Sequence, residues 1–136
     1  MTTTLLLRIA SVISLLFTLG HTLGGRKKWS PMGENDVLKA MTAVRFDTMA
    51  VRRSYLDFFM GFGWLLSVLM LMQTVLLCQL ASLADPDPAR ARPMIAVFAL
   101  ATLASGVIAW RFIFWIPALF SAVLALVLAA AYFVAR

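Results

Sequence analysis

YLDFFMGFGWLLSVLMLMQTVLLCQLASL, residues 55 to 83, holds one charged side chain, Asp57, close to its start. A bilayer's hydrocarbon needs about 20 consecutive apolar residues, with a range of about 17–25. This stretch meets that requirement, so it reads as a membrane-spanning helix. The whole chain agrees: of 136 residues, 62% are hydrophobic and only 13% charged, and the mean hydropathy is +0.92. Soluble domains carry about 45–50% apolar and about 25% charged residues. The net charge of +6 does not point to nucleic acid, because the basic residues flank apolar runs and do not line one polar face.

Working outward, three further stretches are long enough to span: about 5–23, about 94–112 and about 117–134. The first competes with a cleavable signal peptide. No basic residue precedes its apolar run, Arg8 lies within it, and no A-x-A site follows, so a retained helix is expected. Residues 24–36, GGRKKWSPMGEND, form the first polar break, with Asn35 or Asp36 placed to cap a following helix. From about 36 to 51, Val37, Met41, Val44 and Thr48 recur at helical spacing while Lys39, Arg45 and, just beyond, Arg52 point elsewhere. That pattern predicts an amphipathic helix at the headgroups, running on without a proline into the second span. ADPDPARARP, residues 84–93, breaks the chain before the third span. Only IFW and its neighbours separate the third and fourth spans, which must form a tight antiparallel pair, with Pro117 in the first turn of the latter. The expected fold is all-α: one integral membrane domain, a four-helix bundle with an amphipathic cytoplasmic-side helix before the second span.

Four spans put both termini on one side. Arg8, Arg90, Arg92 and Arg136 fall there, against Arg26, Lys27, Lys28, Lys39, Arg45, Arg52, Arg53 and Arg111 on the other. The basic excess predicts that the second side is cytoplasmic and that both termini lie outside, in the periplasm of a bacterial inner membrane. Trp29, Trp64, Trp110 and Trp115 fall near the cytoplasmic ends of their segments, as an aromatic belt requires. Arg8, near the other end of its span, is expected to snorkel. Small residues repeat at four-residue spacing: Gly20 with Gly24, Ala118 with Ala122, and Ser121 with Ala125 and Ala129. Such faces serve packing inside the bundle or a homo-oligomer. The lone Cys78 is expected to be a small buried hydrophobe. With one cysteine and one histidine, no metal-ligand cluster is legible, and neither a metal nor another cofactor is expected.

One polar constellation stands out. Were 45–63, RFDTMAVRRSYLDFFMGFG, a single helix, Asp47, Ala50, Ser54, Asp57 and Gly61 would share a face. Arg53, four residues before Asp57, could pair with it. His21 ends the first span on the same side, where an antiparallel neighbour would bring it level with Tyr55 and Asp57. Ionisable residues at the hydrocarbon edge are costly unless paired, which makes His21, Arg45, Asp47, Arg53, Tyr55 and Asp57 the candidate ligand-binding set. The competing account is a structural collar in which Asp57 neutralises Arg53 and His21 caps its helix.

GHTLGG (20–25), WSP, RSYLDFFMGFG (53–63) and WRFIFWIP (110–117) resemble a family of small bacterial four-helix inner-membrane proteins to which no reaction is assigned. In size and layout alone the chain is similar to DoxX-like proteins, a group that includes partners of quinone-linked oxidoreductases. The resemblance implies the four-span fold and draws weight to His21, Asp47, Arg53, Tyr55 and Asp57.

Three functions compete. The first is a non-enzymatic pocket in which Arg45, Arg52 and Arg53 attract a lipid headgroup or small amphipathic ligand and Tyr55, Phe58 and Phe59 wall it. The second is an intramembrane enzyme or redox subunit, with His21 as acid/base tuned by Asp57 or Asp47 on a quinone, isoprenoid or sterol-like substrate. The third, a small multidrug-type transporter, ranks last because the middles of the later spans hold no carboxylate. Soluble catalytic motifs such as GxSxG, the P-loop and HExxH are absent from the sequence.

Overall fold

The computed structural model describes residues 2–25 and 33–136. Its order is α1 (Thr3–Gly25), α2 (Asp36–Ala43), β1 (Arg45–Thr48), β2 (Val51–Ser54), α3 (Tyr55–Leu83), α4 (Pro88–Phe112) and α5 (Trp115–Val134). Four of the helices, α1, α3, α4 and α5, are long and apolar enough to cross a membrane. The protein is an all-α, multi-pass membrane four-helix bundle, with a short helix before its second span. Basic residues 26–28 and Trp29 of the expected belt lie outside the described residues, whereas Trp64, Trp110 and Trp115 are exposed.

The chain divides into two compact units, Met1–Phe17 with Met70–Arg136, and Thr18–Leu69. In the first, all four spanning helices contribute to one core. Leu7, Leu77, Leu80, Ile95 and Leu128 are its fully buried large side chains. The buried positions step by three and four: Thr3, Leu7, Ala10 and Ser14 on α1; Thr74, Leu77 and Ala81 on α3, with Ala84 just past its end; Leu124, Leu128 and Ala131 on α5. That is the knobs-into-holes spacing of a left-handed bundle. The opposite faces are apolar and open, Leu126 on α5 being 71% exposed. In water such surface would drive aggregation; against lipid tails it is the required one.

Because lipid is as apolar as leucine, helix association in a membrane leans on close approach and on interhelical hydrogen bonds. Both are present in this unit. Ser11 donates to the Thr74 carbonyl at 3.1 Å, and the Ser14 and Thr74 hydroxyls meet at 2.8 Å. Thr74 itself donates to the Met70 carbonyl at 3.0 Å, so in that arrangement Ser14 donates and Thr74 accepts. Toward the helix ends, Thr4 donates to Asp85 at 3.3 Å, Arg90 pairs with Asp87 at 2.8 Å, and the Arg92 guanidinium lies 4.4 Å from the Tyr132 ring centroid. On α4, Gly106 faces Ser121 of α5 so closely that an added Cβ would lie 3.1 Å from the Ser121 Cβ. Of the small-residue repeats, the Ser121 face therefore packs inside the bundle. A Cβ on Gly20 or Gly24 would meet nothing within 4 Å.

Three expectations need correcting here. Helix α4 starts at Pro88, not near Met94, and carries Pro93 within it. Pro88 sits where the missing N–H costs nothing, and Pro93 follows within the first two turns, so the break shrinks to residues 84–87. Cys78 is exposed, since it follows Leu77 of the buried stripe and so points away from the core. The amphipathic helix ends at Ala43, well before residue 51. Asn35 does cap it, accepting from the Leu38 N–H at 3.0 Å, but α2 buries Leu38 while Val37 is exposed.

Candidate functional site

In the second unit, the stretch expected to be helical from 45 to 54 is a β-hairpin. Arg45 pairs with Ser54, Phe46 with Arg53, Asp47 with Arg52, and Thr48 with Val51, antiparallel. Met49 and Ala50 close it as a two-residue turn, both in the left-handed region at φ 47° and 63°. Mirror-image turns of this kind match the strand twist and call for positive φ at both positions. Glycine or asparagine normally fills them, and an L-residue there costs about 1–2 kcal/mol. Backbone strain of this kind, held by the surrounding structure, is found most often at functional sites. Met49, at the tip, is 96% exposed.

The hairpin abolishes the expected helical face. Side chains now alternate with a period of two: Arg45, Asp47, Arg52 and Ser54 share one face of the ribbon, and Phe46, Thr48, Val51 and Arg53 the other. Asp47 lies across from Arg52 and no longer lines up with Asp57 and Gly61. Phe46 leans on the start of α3, its ring 5.0 Å from Tyr55 and 5.8 Å edge-on from Phe58. Phe58 in turn meets Phe62, one turn on, at 5.0 Å. Edge-to-face contacts of this type contribute about 0.5–1.5 kcal/mol each beyond buried area. They join the ribbon to the first two turns of the helix.

The junction is sealed by a capping box. Ser54 Oγ accepts the Asp57 N–H at 3.1 Å, and Asp57 Oδ2 accepts the Ser54 N–H at 2.9 Å. Ser54 is buried and Asp57 exposed. The Asp57 carboxylate is thus spent on the Ser54 N–H, and the expected Arg53–Asp57 ion pair does not form; Arg53 donates instead to the Arg52 carbonyl at 3.2 Å.

His21 has a different partner again. Its Nε2 lies 3.2 Å from the Gly63 carbonyl, which can only accept, so the proton of that bond sits on Nε2. The same carbonyl takes the Ser67 hydroxyl at 3.2 Å. His21 is half-buried within α1, which continues to Gly25, and so does not act as a terminal cap. Among the described residues the ion pairs are Lys39–Asp36 and Arg90–Asp87, and no carboxylate pairs with His21.

The candidate residues therefore sort into three local arrangements. Tyr55 and Asp57 anchor the hairpin, His21 engages a helix carbonyl, and Arg45, Arg52 and Arg53 stand exposed on the ribbon without an acidic partner among the described residues. Two clefts lie elsewhere: one of about 380 Å³ between Leu83 and Arg90, and one of about 210 Å³ beside Leu38 and Thr42. Phe46 and Phe62 were missed as site-shaping residues. Only the i, i+4 pair Phe58–Phe62 could have been found from spacing. No protein-family model, no curated protein and no solved structure matches this chain.

Proposed function

We propose that this small multi-pass membrane protein is a non-enzymatic binder of anionic lipid headgroups, with the β1–β2 hairpin as its contact surface. The observation that carries the reading is the set of three exposed guanidinium groups, Arg45, Arg52 and Arg53, that form no ion pair among the described residues, on a ribbon that runs directly into a spanning helix. At 29 residues and about 1.5 Å rise each, α3 is about 43 Å long, longer than the roughly 30 Å hydrocarbon layer. Its first turns then belong to the headgroup zone. Guanidinium groups bind phosphate oxygens in a planar, bidentate fashion, and each cation near an anionic leaflet contributes about 1 kcal/mol. Phe46, Tyr55, Phe58 and Phe62 supply amphipathic and apolar surface at the depth where aromatic rings concentrate. Asp57 and Ser54 position the ribbon, and Asp47 tempers Arg52 across the strand pair. The basic excess on this side favours the cytoplasmic leaflet of a bacterial inner membrane, with both termini outside.

The test is the lipid complement of the protein in nanodiscs of phosphatidylcholine with a minority of phosphatidylglycerol, read by native mass spectrometry after release. Wild-type protein should retain phosphatidylglycerol well above its bulk share at low salt. Replacing Arg45, Arg52 and Arg53 together with Gln should cut that enrichment by about tenfold or more. Salt should erode the wild-type preference in the same direction, as the screening length shrinks to about 10 Å at 0.1 M. Equal enrichment in the triple variant would remove the hairpin from lipid recognition.

A further inference from the structure

Helix α3 begins at the arginine ribbon and ends at a cleft of about 380 Å³, a volume inside the range of about 300–1,000 Å³ typical of small-molecule sites. All of the cleft's lining belongs to the first unit. It is open because α4 runs closely along α5 and far less closely along α3, so the short link at residues 84–87 leaves a gap between the two helices it joins. The floor is apolar, with Leu80 and Ala91 buried, and the walls are Leu83 and Met94, large hydrophobic side chains that stand exposed. The mouth is charged. Asp87 accepts from Arg90 Nε at 2.8 Å and makes no capping bond to its own helix. At about 1.5 Å per residue, Met94 lies about 10 Å farther along α4 than Asp87. Charge at the mouth and apolar walls below it follow the gradient of a bilayer leaflet.

We infer that this cleft binds one phospholipid with an ethanolamine phosphate headgroup. Its charges identify the occupant. A carboxylate and a guanidinium side by side, with no net charge, complement a zwitterion whose ammonium and phosphate are two carbons apart, whereas an anionic headgroup would be repelled by Asp87. The pair is free to take a ligand: the Arg90 and Asp87 side chains are 86% and 43% exposed, and ion pairs so exposed add little to stability. Asp87 meets the guanidinium at Nε, which leaves the outer amino groups for two phosphate oxygens. A carboxylate has about four lone-pair sites, so Asp87 can accept an ammonium N–H and keep Arg90. The quaternary nitrogen of choline has no N–H to donate. An acyl chain between Leu83 and Met94 would cover apolar surface that opens into the cleft. The site differs from the ribbon in chemistry, since it recognises the ammonium as well as the phosphate.

The test uses the full chain in nanodiscs of phosphatidylcholine with a minority of phosphatidylethanolamine, the retained lipid being read by native mass spectrometry after release. Wild-type protein should enrich phosphatidylethanolamine about tenfold over its bulk share. Asp87→Asn should remove most of that preference, and Asp87→Glu, which keeps the carboxylate, should stay within about threefold of wild type. Arg90→Gln should lower retention of both lipids, since both carry the phosphate. Asp85, two residues from Asp87, bonds Thr4 and lies outside the cleft lining, so Asp85→Asn should match wild type. Circular dichroism of each variant checks that the helices persist. The triple Gln variant of Arg45, Arg52 and Arg53 should keep the preference, which separates this site from the ribbon. Wild-type retention at the bulk share, or Asp87→Asn equal to wild type, or Asp85→Asn as damaging as Asp87→Asn, would each overturn the inference.

Discussion

Replacing Ala50 by glycine separates the hairpin from the helix that local pattern suggests, because the two predict opposite signs. In a helix interior glycine is about 1 kcal/mol worse than alanine. At φ 63° alanine instead bears the left-handed penalty, about 1–2 kcal/mol, which glycine does not. Against that gain stands the extra freedom glycine brings to the unfolded chain, about 0.5–1 kcal/mol. The net expectation is a hairpin more stable by about 0.5–1 kcal/mol, a roughly two- to fivefold drop in its opening constant. Hydrogen–deuterium exchange on the full chain in nanodiscs, resolved to peptides covering 44–54, measures this directly, since local openings of marginal elements dominate exchange there. Ala50→Gly should slow exchange in that peptide and leave the peptides of α4 and α5 unchanged. Faster exchange would mean that residues 45–54 are helical and that the ribbon, with the arginine surface built on it, does not exist.

Two further substitutions probe the packing. Ser54→Ala removes the acceptor of the Asp57 N–H and should cost about 1 kcal/mol, seen as about fivefold faster exchange in the first turn of α3, whereas Ser54→Thr should restore most of the protection. Gly106→Val forces side-chain atoms against Ser121, where even a Cβ comes to 3.1 Å. It should destabilise the bundle by about 1–3 kcal/mol in detergent-induced unfolding followed by circular dichroism, while Gly20→Ala, inside α1 with open space around it, should not destabilise and should gain up to about 1 kcal/mol.

The spans were legible because a membrane helix announces itself by length and apolarity, and both are sums over consecutive residues. The 55–83 run matches α3 residue for residue, and Asn35 caps α2 as its type and position suggest. The hairpin was not legible. Its turn is Met49–Ala50, with none of the glycine or asparagine that signals a mirror-image turn, and Val37, Met41, Val44 and Thr48 happen to fit a helical period. Phe46 shows why the ribbon wins: its ring contacts with Tyr55 and Phe58 lie outside any local window.

The candidate site split for the same reason. Once residues 45–54 change period from 3.6 to 2, Asp47 moves to face Arg52 and can no longer share a stripe with Asp57. His21 could be placed near the second span from chain direction alone, but its choice of the Gly63 carbonyl over a carboxylate depends on backbone position in three dimensions. Composition and hydropathy, which need no geometry, determined that this chain lives in a bilayer as four spans. Which polar groups meet, and which arginines stand without an ion pair, was decided only by tertiary structure, because hydrogen bonds and ring contacts are satisfied between atoms adjacent in space, wherever those atoms stand in the chain.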